Sequence, residues 1–127
     1  MTDIAGPIVV AIGGHSLLSP DLPPTVANQY AVTQEAVKPI ADLLERGEHL
    51  VLTHGNGPQV GFMQLRSELA SGQLPEVPLD ALVADSQGAM GYMIERALRG
   101  ELRRRGHDGR VVTIVTEVEV DPADPAF

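Results

Sequence analysis

The sequence predicts an α/β protein: a mainly parallel sheet held between helical layers in a three-layer α/β/α sandwich. Three observations predict it. Ile8-Val9-Val10-Ala11-Ile12 and Leu50-Val51-Leu52 are short continuous apolar runs, the pattern of strands buried on both faces. Each run is followed closely by a glycine turn, Gly13-Gly14 in one case and Gly55-Asn56-Gly57 in the other. Each turn leads toward a longer stretch with helical periodicity, and strands alternating with helices imply a parallel sheet.

The elements follow in order. Ile8 to Ile12 is the first strand, and Ser19 to Pro24, with three prolines and an aspartate, is a loop. A helix is expected from about Val26 to Arg46, where Tyr30, Val37, Ile40, Ala41 and Leu44 fall on one face. Pro39 should kink it, and Gly47 is placed to end it. His49 to Thr53 is the second strand, Val60 to Ala70 the second helix, and Ser71 to Pro78 a Gly/Pro-rich loop. Asp80 is a candidate cap for a long helix to about Arg105, in which Gly88 and Gly91 suggest close packing or a bend. Arg99, Arg103, Arg104 and Arg105 form its basic, solvent-facing end, complementary to a helix C-terminus. Arg110 to Val115 is expected as a third strand and Thr116 to Val120 as strand-like, before a turn-rich Asp121 to Pro125.

Composition narrows the function. The 127 residues suit one domain, and 43% hydrophobic content is enough for a core. With two Tyr, two Phe and no Trp, that core must be aliphatic and methionine-rich. A formal net charge of −8 argues against nucleic acid and against anionic membrane surfaces, both of which call for a basic face. An acidic chain that binds an anion must do so locally, through backbone N–H groups and a few side chains. The absence of cysteine removes disulfide and thiolate chemistry and fits a cytoplasmic setting. No apolar run is long enough to span a bilayer, and the start lacks the features of a signal peptide.

The second glycine turn lies within Leu50-Val51-Leu52-Thr53-His54-Gly55-Asn56-Gly57-Pro58-Gln59-Val60-Gly61. It reads as strand, anion-binding loop and helix N-terminus. Glycines allow close backbone approach and expose successive N–H groups. A helix start adds unpaired donors and the positive end of the helix dipole. Proline suits such a start because the missing N–H costs nothing there. In a parallel sheet the loops at the carboxyl ends of strands converge on one crevice. Gly13-Gly14 and Gly55-Asn56-Gly57 should therefore face one site for a small anion such as a phosphate, a carboxylate or a carbamate. Taken alone, Gly13-Gly14 is equally an ordinary tight turn; for Asn56 the ligand-donor role is preferred over that of a turn residue with a left-handed backbone. The four histidines lack a carboxylate pattern that would make a metal site.

Beyond these local readings, the chain resembles carbamate kinase. Val9-Val10-Ala11-Ile12-Gly13-Gly14, His54-Gly55-Asn56-Gly57-Pro58-Gln59-Val60-Gly61, Pro78-Leu79-Asp80, Ser86-Gln87-Gly88-Ala89-Met90-Gly91-Tyr92 and Val120-Asp121-Pro122-Ala123-Asp124 occur in that family's order and spacing. The resemblance covers essentially the whole chain but only the N-terminal half of the family's length. It implies that residues 1–127 form a single carbamate- and phosphoryl-binding domain, with the nucleotide-binding half absent. It implies a reversible transfer between ATP and carbamate that gives ADP and carbamoyl phosphate, with magnesium accompanying the nucleotide. It further implies a role in arginine or amino-acid catabolism, and a homodimer or a partner chain that completes the nucleotide site. Gly13, Gly14, His15, Gly55, Asn56 and Gly57 would line the carbamate and phosphoryl site. His15 departs from the family's Asn after the two glycines. It could preserve anion binding, change the ligand, or be a bland loop residue. His54 reads as a loop-holding residue, Ser86-Gln87-Gly88 and Gly91-Tyr92 as packing residues, and Lys38, the only lysine, lies on no site. Two other readings stand beside the kinase: a non-catalytic module that binds carbamoyl phosphate, and a truncated inactive product.

Overall fold

The structure is a computed structural model that describes residues 6–125. Its elements are β1 (Ile8–Ile12), a 3-10 turn (Gly14–Leu17), α1 (Val26–Ala36), α2 (Lys38–Glu45), β2 (Leu50–His54), α3 (Gly57–Leu69) and α4 (Leu79–Arg104). β1 and β2 pair in parallel, from Ile8 opposite Leu50 to Ile12 opposite His54. Bonds beyond the strands extend the ladder at both ends, from Ile8 N–H to His49 O (2.8 Å) and from Gly55 N–H to Ile12 O (2.9 Å). Parallel pairing in this register brings both carboxyl ends, and the two glycine turns, to one edge.

The α/β class and parallel sheet agree with the sequence. Val10, Ile12, Leu50 and Leu52 pack against a helical core of Leu17, Val37, Ile40, Ala41, Met90, Ile94, Ala97, Leu98 and Leu102. Among the described residues the helices cover that one face. Val9 (63% exposed) and Val51 (46%) stand on the other, which a second helical layer would cover in the three-layer arrangement.

The helix expected over 26–46 is two helices that meet at Val37. Pro39 lies in the first turn of α2, where its missing N–H costs no ladder bond. Val37 N–H still bonds Thr33 O (3.0 Å), and Ala41 N–H bonds Val37 O (2.9 Å). Val37 is itself fully buried, so the joint sits against the core. Gly47 follows with φ +83°, the left-handed conformation that ends helices.

α3 starts at Gly57 rather than at Val60, so the helix begins inside the glycine motif. α4 is preceded by Pro78 at its N-cap; Asp80, expected as the cap, lies instead within the first turn, where its charge suits the helix dipole. The helix runs through Gly88 and Gly91 without a break. Gly91 is explained by packing, because a Cβ there would collide with the Thr113 side chain.

The strands expected at Arg110–Val115 and Thr116–Val120 do not form. The segment instead follows α4, with Val111 on the core and Thr113 Oγ1 donating to Glu95 Oε2 (3.2 Å). Thr116 N–H donates to Gln87 Oε1 (2.8 Å), and Gln87 Nε2 donates to Thr116 O (3.3 Å). A side-chain amide thus takes both backbone groups that a neighbouring strand would have used. The basic end of α4 is also not merely solvated. Arg105 Nη1 bonds Asp42 Oδ1 (2.6 Å) and Glu45 Oε2 (2.8 Å), while its Nε bonds Glu101 Oε1 (2.7 Å). These contacts tie α4 to α2.

Candidate functional site

The site is built where β1 and β2 end. Gly13 is extended (φ −67°, ψ 143°), and the chain then tightens into the 3-10 turn, with Ser16 N–H on Gly13 O (3.0 Å). The second loop lies directly against it. A Cβ on Gly14 would sit 3.1 Å from Gly55 O and 3.2 Å from Asn56 N, and a Cβ on Gly55 would sit 3.2 Å from Gly14 N. The two loops therefore meet backbone to backbone. Neither glycine has positive φ; both are needed for close approach. A Cβ on Gly57 would meet nothing within 4 Å.

Asn56 is the N-cap of α3, with φ −141° and ψ 10°. Its backbone is not left-handed, so the turn-residue explanation fails on conformation. Its side chain makes no cap bond. Instead Asn56 Nδ2 donates to Ser86 Oγ on α4 (2.7 Å). The first helical bond of α3 is from Val60 N–H to Asn56 O (2.9 Å). Ahead of it, Gly57 and Gln59 carry N–H groups without an intrahelical acceptor, and Pro58 has none to satisfy. Three features thus share one edge: the contact of the two loops, an uncapped helix start, and an asparagine amide.

Buried amides brace this edge from below. Gln59 Nε2 lies 3.4 Å from Gly14 O and 3.5 Å from Gln29 Oε1, and Gln29 Nε2 donates to Pro24 O (3.1 Å). Both neighbours of Gln59 Nε2 are acceptors, so the amide cannot be flipped without placing oxygen against oxygen. Its Oε1 is buried without a partner among the described residues.

Of the residues singled out in the sequence, Gly13, Gly14, Gly55, Asn56 and Gly57 lie together at this edge. His15 lies in the same turn with an exposed side chain. His54 Nδ1 lies 3.3 Å from Gly55 O, consistent with a role in holding the loop. Lys38 pairs with Glu35 (2.5 Å), away from the loops. Ser86, read from the sequence as a packing residue, touches the site, as does Gln59. Local spacing could not reveal either contact: Ser86 lies 30 positions from Asn56 and Gln59 lies 45 from Gly14. Among the described residues no group of three or more His, Cys, Asp or Glu side chains could hold a metal ion. No helix there is long and apolar enough to cross a membrane.

Comparison with known proteins agrees with the geometry. The model of the amino acid kinase family matches residues 6–122. The chain is 43% identical over 122 residues to a carbamate kinase of Pyrococcus horikoshii, which covers 94% of this chain and 39% of that protein. It is 45% identical over 126 residues to the carbamate kinase-like protein YahI of Escherichia coli, covering 94% of this chain and 38% of that one. Among solved structures, the carbamate kinase of Giardia lamblia bound to AMP-PNP superposes with a TM-score of 0.89 at 37% identity, over 94% of this chain and 38% of that one. The chain therefore spans less than two-fifths of the length of these relatives and resembles their N-terminal part. It belongs to the amino acid kinase family.

Proposed function

We propose that this chain is the carbamate- and phosphoryl-binding side of a carbamate kinase-type phosphotransferase, which interconverts ATP and carbamate with ADP and carbamoyl phosphate. The observation behind it is the backbone contact of the Gly13-Gly14 and Gly55-Asn56-Gly57 loops beside the uncapped start of α3. The relatives named carbamate kinase lend the reaction.

Phosphoryl transfer asks a protein mainly to position the reactants and to stabilise charge on the phosphoryl oxygens. Fixed backbone dipoles at the two loops would do this without reorganisation. The phosphoryl oxygens would accept from the N–H groups of Gly57 and Gln59. The second N–H of Asn56, the one not given to Ser86, would donate to a carbamate or phosphoryl oxygen. In the forward direction the carbamate oxygen forms the new bond to phosphorus as the bond to the ADP oxygen breaks. His15, exposed on the first turn, would stand at the lip as an auxiliary donor. The resemblance also implies magnesium with the nucleotide. The described residues offer no cluster to hold the ion. Residues outside these 127 would supply the nucleotide site, from the same polypeptide or from a partner.

Titration calorimetry of carbamoyl phosphate into the chain tests this. Saturable binding is expected, weakened about tenfold to a hundredfold in Asn56→Ala, the cost of one hydrogen bond to a charged ligand. No saturable binding to a folded sample would contradict it. An assay for ATP formed from ADP, magnesium and carbamoyl phosphate separates a chain that completes the reaction from one that only holds the acceptor side.

A further inference from the structure

Asparagine at an N-cap ordinarily accepts a hydrogen bond from an N–H in the first turn of its own helix. Asn56 occupies that position and does not. The reason lies on another helix. Ser86 is buried at 1% exposure, and its only O–H is donated to Val83 O (2.8 Å). Its oxygen is therefore presented to Asn56 as an acceptor, and Asn56 Nδ2 fills it at 2.7 Å. With the Ser86 hydroxyl given to Val83 O, the amide meets it through Nδ2; reversing the amide would require that hydroxyl to leave Val83.

We infer that Ser86 is a positioning residue: it draws the Asn56 side chain away from capping α3, and so keeps the first-turn N–H groups and the second Asn56 N–H free for an anion. The inference rests on the reading of this edge as an anion site. It gives Ser86 a role that packing alone would not. α4 sets the direction of the amide, and the helix start gives up a stabilising cap to remain open.

The consequence is a pair of effects with opposite signs. In Ser86→Ala the acceptor is gone, and Asn56 is free to cap α3. Carbamoyl phosphate affinity should fall about tenfold, while thermal stability holds or rises. Hydrogen exchange followed by NMR should slow at the Gln59 amide and quicken at the Asn56 side-chain amide. In an Asn56→Ala background, Ser86→Ala should leave affinity unchanged, since its effect passes through Asn56. Ser86→Cys, close in size and a weaker acceptor, should fall between and guards against a folding defect in the first variant. Loss of stability with unchanged affinity in Ser86→Ala would overturn the inference. So would an equal loss of affinity with and without Asn56. If the unaltered chain binds no carbamoyl phosphate, the anion-site reading fails, yet the exchange pattern still decides whether Ser86 withholds Asn56 from the helix: unchanged exchange at both amides would overturn it.

Discussion

Two polar regions of this molecule solve opposite problems. At the C-terminal end of α4, Arg105 is held by Asp42, Glu45 and Glu101, and it also donates to Lys38 O (3.1 Å). Arg104 grips Glu101 through two further bonds (2.8 and 2.7 Å), and His107 Nε2 lies 3.2 Å from Glu45 Oε1. Each charge of this network meets an opposite charge or a carbonyl. At the carboxyl ends of β1 and β2 the polar groups are backbone donors. The asparagine that could have satisfied them is held elsewhere. Both regions join elements distant in sequence. The first closes on itself and holds α2 to α4. The second leaves first-turn donors over, and in the proposed function these are what would meet an anion in a chain of net charge −8.

Substitutions can break that contrast. The largest effect is expected from Gly14→Val. Even a Cβ there would press on the Gly55 and Asn56 backbone at 3.1–3.2 Å, and backbone cannot give way as a side chain can. A stability loss of about 1–3 kcal/mol and abolished carbamoyl phosphate binding are expected, by chemical denaturation and calorimetry. Arg105→Ala should separate the two effects, lowering stability without touching binding. It removes the hub of the ionic region, so the melting temperature falls well below that of Arg99→Ala, whose single pair with Glu95 (3.4 Å) is exposed. Anion affinity should stay unchanged.

Acid unfolding sharpens the comparison. Hydrogen bonds from Arg104 and then Arg105 hold the Glu101 carboxyl at about 2, against an ordinary 4.5. Because the folded value is depressed, the contribution is full above about pH 4.5 and is lost as pH falls toward 2. Glu101→Gln should therefore be less stable than the parent at neutral pH, and the gap should narrow across that window. His15→Ala should show the smallest effect, a loss of affinity of about threefold or less for an exposed, auxiliary donor.

Much of this was legible in the sequence, for reasons that differ by region. The strands, the parallel sheet and the loop edge follow from apolar runs ending in glycine, which are local signals. The break near Pro39 and the stop at Gly47 are local too. The third strand was misread because Val111 to Val120 has strand composition, while the Gln87 side chain, more than twenty positions away, takes the backbone groups of Thr116. The basic end of α4 was misread as solvated because Asp42 and Glu45 reach Arg105 only after α2 packs on α4. At the candidate site the glycines and Asn56 could be found by motif. Ser86 opens one of the motifs too, but its role does not show there, since a serine inside a small-residue stretch of helix looks like packing until Asn56 is seen to lean on it.

The most direct test of the account is an NMR titration of the isotopically labelled chain with carbamoyl phosphate. Binding at one site built from both loops predicts saturable shifts at Gly13 to His15 and at Gly55 to Gln59, all described by one dissociation constant. Shifts confined to the arginine face of α4, or none that saturate, would contradict it.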